Sequence, residues 1–153
     1  AKLAVVERHK ATGNLGLGFV RGLSLRAGAM AGTVAHDAHN IVVAGVDDAD
    51  MALAARTLMI SGGGFVVVRD GHILAQVDLA VAGLMSAEPF DTIMRALSDL
   101  GGAYRAIAGP DALAHPFMAM SFLSLEVIGD LKLTDKGLVD VTAFTPVDCF
   151  VND

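Results

Sequence analysis

Apolar residues fall along this chain in short blocks, punctuated by glycine, asparagine and aspartate. The block Leu3 to His9 reads as a strand, and Thr12-Gly13-Asn14 signals a turn after it. From Leu15 to Gly22 glycines alternate with apolar side chains, and glycine inside a strand marks close approach of another backbone or of a ligand. Two further runs, Gly28 to Ala35 and Ile41 to Gly45, predict strands. They are joined by Val34-Ala35-His36-Asp37-Ala38-His39-Asn40, which places that polar string at a strand end.

The period changes at Asp47. Asp47 or Asp48 can cap a helix whose broad apolar surface is Met51, Leu53, Ala54, Leu58 and Met59, ending at Ser61-Gly62-Gly63-Gly64. Phe65 to Val68, Asp70-Gly71 and His72 to Val77 spell a hairpin, because Asp-Gly between β-rich runs suits a tight primed turn. A second helix is expected from about Pro89 to Leu100, opened by Glu88, Pro89 and Asp91 and closed by Gly101-Gly102. Pro116 to Leu125 is apolar and fits a buried helix or a strand, while Leu131 to Asp140 reads as an extended segment around a turn. Together these elements predict one α/β domain of the α+β type over residues 1–153. Its sheet is expected to be mixed and largely antiparallel, packed against two or more helices.

Composition narrows the classes of partner. Apolar residues make up 54% of the chain and mean hydropathy is +0.56, so much surface must be hidden, which points to a homo-oligomer or a neighbouring domain. The longest stretch without a charged residue, Ala112 to Leu125, is too short to span a bilayer as a helix. A net charge of -6 with scattered lysines and arginines offers no stripe for a phosphate backbone, so neither membrane nor nucleic acid is expected as a partner. The single Cys149 excludes an intrachain disulfide framework and makes a cytoplasmic location the default. The opening Ala1-Lys2-Leu3-Ala4-Val5-Val6, without methionine, reads as the interior of a longer polypeptide.

Chemistry concentrates in two places. His36, Asp37, His39 and Asn40 can exchange protons, bind a metal or read the polar edge of a small molecule. On a helical turn His36 and His39 would share a face and could chelate one ion; on an extended strand they would point to opposite sides. A metal site would need further ligands, and Asp37, His9, His72 or His115 could serve only if the fold delivers one. The second cluster is Glu7, Arg8 and His9, followed by Lys10, at the end of the first strand. It fits a solvated strand end, or a cleft where Arg8 and Glu7 orient a small polar substrate. Glycines 13, 16, 18 and 22 match neither a dinucleotide fingerprint nor a Walker loop. Phe117, Met118, Met120, Phe122 and Leu123 suit a core or an interface, and Ser121 and Ser124 lack the adjacent base that marks a nucleophile.

Several segments in series carry a family resemblance. They are Val5 to Asn14, Gly16 to Val20, Val34 to Asn40, Ala82-Gly83-Leu84-Met85-Ser86, Pro116-Phe117-Met118 with Ser121-Phe122-Leu123, and Leu131 to Asp140. In this order they resemble the C-terminal domain of bacterial adenine deaminases of the amidohydrolase superfamily. The resemblance implies hydrolysis of adenine to hypoxanthine and ammonia in purine salvage, at a dinuclear manganese or iron site. There a metal-activated hydroxide attacks C6 and an acidic residue shuttles the proton. The metal ligands of that superfamily, including a His-x-His pair absent here, belong to an upstream barrel of about 250 residues. No metal or other cofactor is therefore expected in these residues, and the isolated chain is expected to be inactive. Its role would be structural, oligomer-forming or active-site-closing, with His36, Asp37, His39, Asn40, Glu7, Arg8 and His9 as the groups facing the site. Two alternatives stand beside this: a non-catalytic ligand-binding or interaction module derived from such a domain, and a small metalloenzyme built on His36 and His39.

Overall fold

A computed structural model describes residues 1–150. A six-stranded antiparallel sheet forms its centre, in the order β2-β1-β4-β3-β5-β6. The strands are β1 (Lys2–Val6), β2 (Leu15–Phe19), β3 (Ala29–Gly32), β4 (Ile41–Gly45), β5 (Gly64–Arg69) and β6 (His72–Asp78). Alternate residues feed two separate cores. On one face Ala4, Ala29, Ala31, Ile41, Val43, Val66 and Val68 pack against Met51, Ala54 and Leu58 of α1 (Asp48–Ser61). On the other, Leu3, Val5, Met30, Val42, Ala44 and Val67 meet Leu100, Ala103, Tyr104 and Ile107 of α2 (Phe90–Ile107). Burial on both faces is why β3 and β4 read as continuous apolar runs rather than alternating ones. The architecture is the α+β fold expected from the chain, with a sheet that is antiparallel throughout.

The Asp47 side chain accepts the Asp50 N–H at 2.9 Å and caps α1, and Gly62 ends it at φ 80°. Asp70 and Gly71, at φ 52° and 74°, make the primed turn between β5 and β6. The buried Asp50 carboxylate accepts the N–H of both, at 3.0 and 2.8 Å, and so ties the hairpin to the helix start.

Three expectations shift. Helix α2 does not stop at Gly101-Gly102 but continues to Ile107. Each glycine costs about 1 kcal/mol in a helix, yet the turn beyond them buries Ala103, Tyr104 and Ile107, and that burial outweighs the propensity. Tyr104 also acts as a rivet, its hydroxyl donating to the Leu23 carbonyl at 2.9 Å and accepting the Leu113 N–H at 3.0 Å. The first strand ends at Val6, so Glu7 to His9 leave the sheet, and the strand expected from Gly28 to Ala35 is confined to Ala29–Gly32.

The ambiguous apolar tail forms a short helix, α3 (Pro116–Ser121). Beyond it β7 (Leu131–Thr134) and β8 (Gly137–Asp140) pair around Asp135-Lys136, and β9 (Thr145–Val147) adds a third strand. This small sheet explains the alternating glycines of β2. A Cβ on Gly16 would overlap the Thr134 carbonyl, while one on Gly18 would touch the Leu133 side chain at 3.4 Å. The close approach is thus made by a backbone of the same chain.

Candidate functional site

The pairing Val6↔Ile41 brings the end of β1 beside the start of β4. Residues 7–9 and the connection from β3 to β4 therefore meet at one end of the sheet. Ala35 to His39 form a tight turn, closed by the His39 N–H donating to the Ala35 carbonyl at 2.7 Å. A neighbouring bond sets the chemistry of His39: the Ala35 N–H donates to its Nδ1 at 3.3 Å, so the neutral ring carries its proton on Nε2. Burial, foremost, together with the nearby His36, Arg8 and His9, pushes the His39 pKa below its ordinary 6.5, against an opposing pull from Asp37.

His36 is half-buried, its ring 5.6 Å from that of His39 at a 73° angle and 4.9 Å from that of Phe122. Its backbone is held on both sides, with the N–H donating to the Ser121 carbonyl at 2.8 Å and its carbonyl accepting the Ser124 hydroxyl at 3.3 Å. Asp37 is exposed at the apex.

Arg8 pins this turn from the segment that follows β1. Its Nε donates to the His39 carbonyl at 2.6 Å and its Nη2 to the Ala82 carbonyl at 2.7 Å, joining two loops that are distant in sequence. Its guanidinium lies against Gly83, where an added Cβ would come to 2.7 Å from Nη2, and partial burial lowers its pKa. Exposed His9 adds a contact of 2.7 Å from Nε2 to the Ala38 carbonyl. Glu7 is committed to its own loop: its carboxylate accepts the N–H of His9, Lys10 and Thr12 at 2.5, 2.8 and 3.0 Å, and the Thr12 hydroxyl at 3.1 Å.

Asn40 is buried and faces the small sheet. Its Nδ2 donates to one Asp135 carboxylate oxygen at 3.3 Å, while the Nδ2 of Asn14 donates to the other at 3.1 Å. The Asn40 Oδ1 has no partner among the described residues. The structure thus gathers Arg8, His9, His36, Asp37 and His39 at one surface, and places Glu7 and Asn40 in its supports. Reasoning from the sequence gave no site role to Asp135 or Ala82, and assigned Phe122 only to a core or an interface. Positive φ at Ala82 and Gly83, 58° and 73°, is the backbone signature of the loop that receives Arg8, and only the Ala-Gly pair hinted at it.

Among the described residues no group of three or more His, Cys, Asp or Glu side chains converges to hold a metal ion. His36 and His39 share the turn, but His72 lies in the β5–β6 hairpin and His115 precedes α3. The donor set does not fit a dinuclear centre. No described helix is long and apolar enough to cross a membrane.

The family described as adenine deaminase C-terminal domain matches residues 1–145. This chain belongs to that family. Among the relatives of this C-terminal domain, the adenine deaminase of Oleidesulfovibrio alaskensis is 54% identical over 144 residues, covering 94% of this chain and 25% of the relative. That of Moorella thermoacetica is 51% identical over 148 residues, covering 97% and 24%, and that of Brucella melitensis 51% over 143 residues, covering 94% and 24%. The adenine deaminase C-terminal domain described here therefore spans about a quarter of the length of the relatives it matches.

Proposed function

We propose that residues 1–153 are the C-terminal domain of an adenine deaminase, a cytoplasmic hydrolase that converts adenine to hypoxanthine and ammonia in purine salvage. The observation that carries this reading is the family match over residues 1–145, with relatives named adenine deaminase that extend well beyond it. The dinuclear manganese or iron centre belongs to an upstream amidohydrolase barrel, and it would supply the activated water. With that chemistry resting on the barrel, residues 1–153 alone are expected to be inactive.

Its contribution is the pinned turn, which closes the adenine pocket from the domain side. The His36 ring, the exposed Asp37 carboxylate and the Nε2–H of His39 have no side-chain hydrogen-bond partner among the described residues and would meet a ligand there. A neutral His39 with a fixed tautomer is a donor of known direction, suited to a ring nitrogen or an exocyclic oxygen of a purine. Arg8 and His9 hold the turn in shape, and Glu7 holds the loop from which they come. The domain also contributes contacts to a homo-oligomer.

The test is adenine turnover, followed by ammonia release, in the full-length enzyme loaded with manganese or iron. His36→Ala or Asp37→Ala is expected to reduce kcat by well over about tenfold, with folding verified by circular dichroism. Turnover near that of the unmodified enzyme removes the pocket-closing role, and an enzyme-like rate from residues 1–153 alone removes the assignment of chemistry to the barrel.

A further inference from the structure

We propose that the α1-side face of β2 is the seat on which the upstream part of the same polypeptide rests. This depends on the proposed function, in which the chain is one domain of a longer enzyme. Strand β2 lies at the sheet edge, paired with β1. Its register sets Leu15 opposite Val6 and Leu17 opposite Ala4, and directly opposed residues share a face. Ala4 and Val6 belong to the α1 core, yet α1 itself packs on β3, β4 and β5. Leu15, Leu17 and Phe19 are left 52%, 62% and 68% exposed. At the Leu15 end of this row a trough of ≈ 560 Å³ opens towards the helix, bordered by Val6, Leu15, Leu58 and Met59, with Arg8 also on its wall. Edge strands that face water carry charges or bulges, and this face of β2 has neither.

The attachment point names the occupant. In the relatives the matched part is about a quarter of the length, and the family description puts it at the C-terminus, so the bulk of each polypeptide enters at the position of Ala1. That position adjoins the face: the Val20 N–H donates to the Ala1 carbonyl at 2.9 Å, and Lys2 pairs with Phe19. A domain tethered there meets the row at high effective concentration, without the entropy cost borne by a separate partner. From Phe19 the row leads to Leu15, next to Glu7 and Arg8, a path of about 13 Å for the four rises between them in an extended strand. A body lying along β2 therefore reaches from its tether to the pinned turn, the placement that pocket closure needs.

Cysteine accessibility in the full-length protein tests this. With Cys149→Ser as background, Leu17→Cys is labelled by a maleimide beside Val127→Cys, which has a matched exposure of 64%. Labelling at Leu17→Cys is expected to be slower by at least about tenfold, at every protein concentration. Equal rates overturn the proposal, and protection that fades on dilution assigns the face to a second copy and overturns it too. Leu15→Cys repeats the measurement should Leu17→Cys fail to fold. Adenine turnover by the same preparation separates the two claims: an active enzyme with freely labelled Leu17→Cys loses the seat and keeps the function, and an inactive enzyme with a protected cysteine does the reverse.

Discussion

Arg8 grips His39 by the backbone rather than by charge: its Nε donates to the His39 carbonyl at 2.6 Å while the far end of the same guanidinium holds Ala82. The planar fork is what allows one side chain to tie two loops, and a lysine ammonium cannot reproduce it. Arg8→Lys is expected to lower domain stability by about 1–2 kcal/mol through the lost bond, and to speed amide exchange at His39. Denaturant titration with hydrogen exchange checks this, and unchanged exchange at His39 would refute the pinning.

Glu7 should behave as an acid-sensitive latch. Its carboxyl is held from the ordinary 4.5 down to about 2, mainly by the Thr12 N–H and further by those of Lys10 and His9 and by the Thr12 hydroxyl, with partial burial opposing. Because the folded value lies below the unfolded one, the stabilisation is complete above 4.5 and is lost as pH falls from there towards about 2. Glu7→Gln is expected to flatten the acid limb of stability against pH in that window. An unchanged limb would show that the loop does not depend on this charge.

His39 carries the opposite kind of group with the same direction of effect. Its folded pKa is below 6.5, so the neutral ring favours the fold at higher pH, and this contribution is lost as pH falls from 6.5 through the depressed value. Protonation also places a hydrogen on Nδ1, which can then no longer accept the Ala35 N–H. Imidazole nitrogen NMR is expected to show the Nε2–H tautomer at neutral pH, with the Ala35 amide shifting as His39 titrates. A His39 that titrates at or above 6.5 would contradict the buried-turn geometry.

The two glycines of β2 should respond differently to the same change. Gly16→Ala places a methyl on the Thr134 backbone, which cannot step aside, and is expected to cost about 1–3 kcal/mol and loosen the β7–β8 hairpin. Gly18→Ala meets only a leucine side chain at contact distance and is expected to lie within about 0.5 kcal/mol of the parent. Thermal melts of the pair decide it, and equal losses would sink the packing account.

Most of the fold was legible because its signals are local. Asp47 before an apolar period, glycines after it, and Asp-Gly between β-rich runs each fix a conformation within a few residues. The extension of α2 was not legible, since what overrides Gly101-Gly102 is burial of Tyr104 and Ile107 against strands far away in sequence. Strand β9 escaped notice because its residues are exposed and Pro146 interrupts any strand pattern. The polar string was visible as a cluster at a strand end. Its supports were not, because Ala82, Asp135 and Ser121 offer ordinary backbone or side-chain groups whose meaning comes only from what reaches them.

One consequence concerns how this molecule can be watched. With a single tyrosine and no tryptophan, the tyrosine-band emission of these 153 residues comes from Tyr104 alone. That phenol is clamped between the Leu23 and Leu113 backbones. Fluorescence from it reports the seam between α2 and its flanking loops, and stays silent about the histidine turn on the sheet's far rim. A melt followed by light and one followed by His39 resonances would therefore sample separate parts of the structure, and their coincidence or divergence would measure how tightly the rim is coupled to the seam.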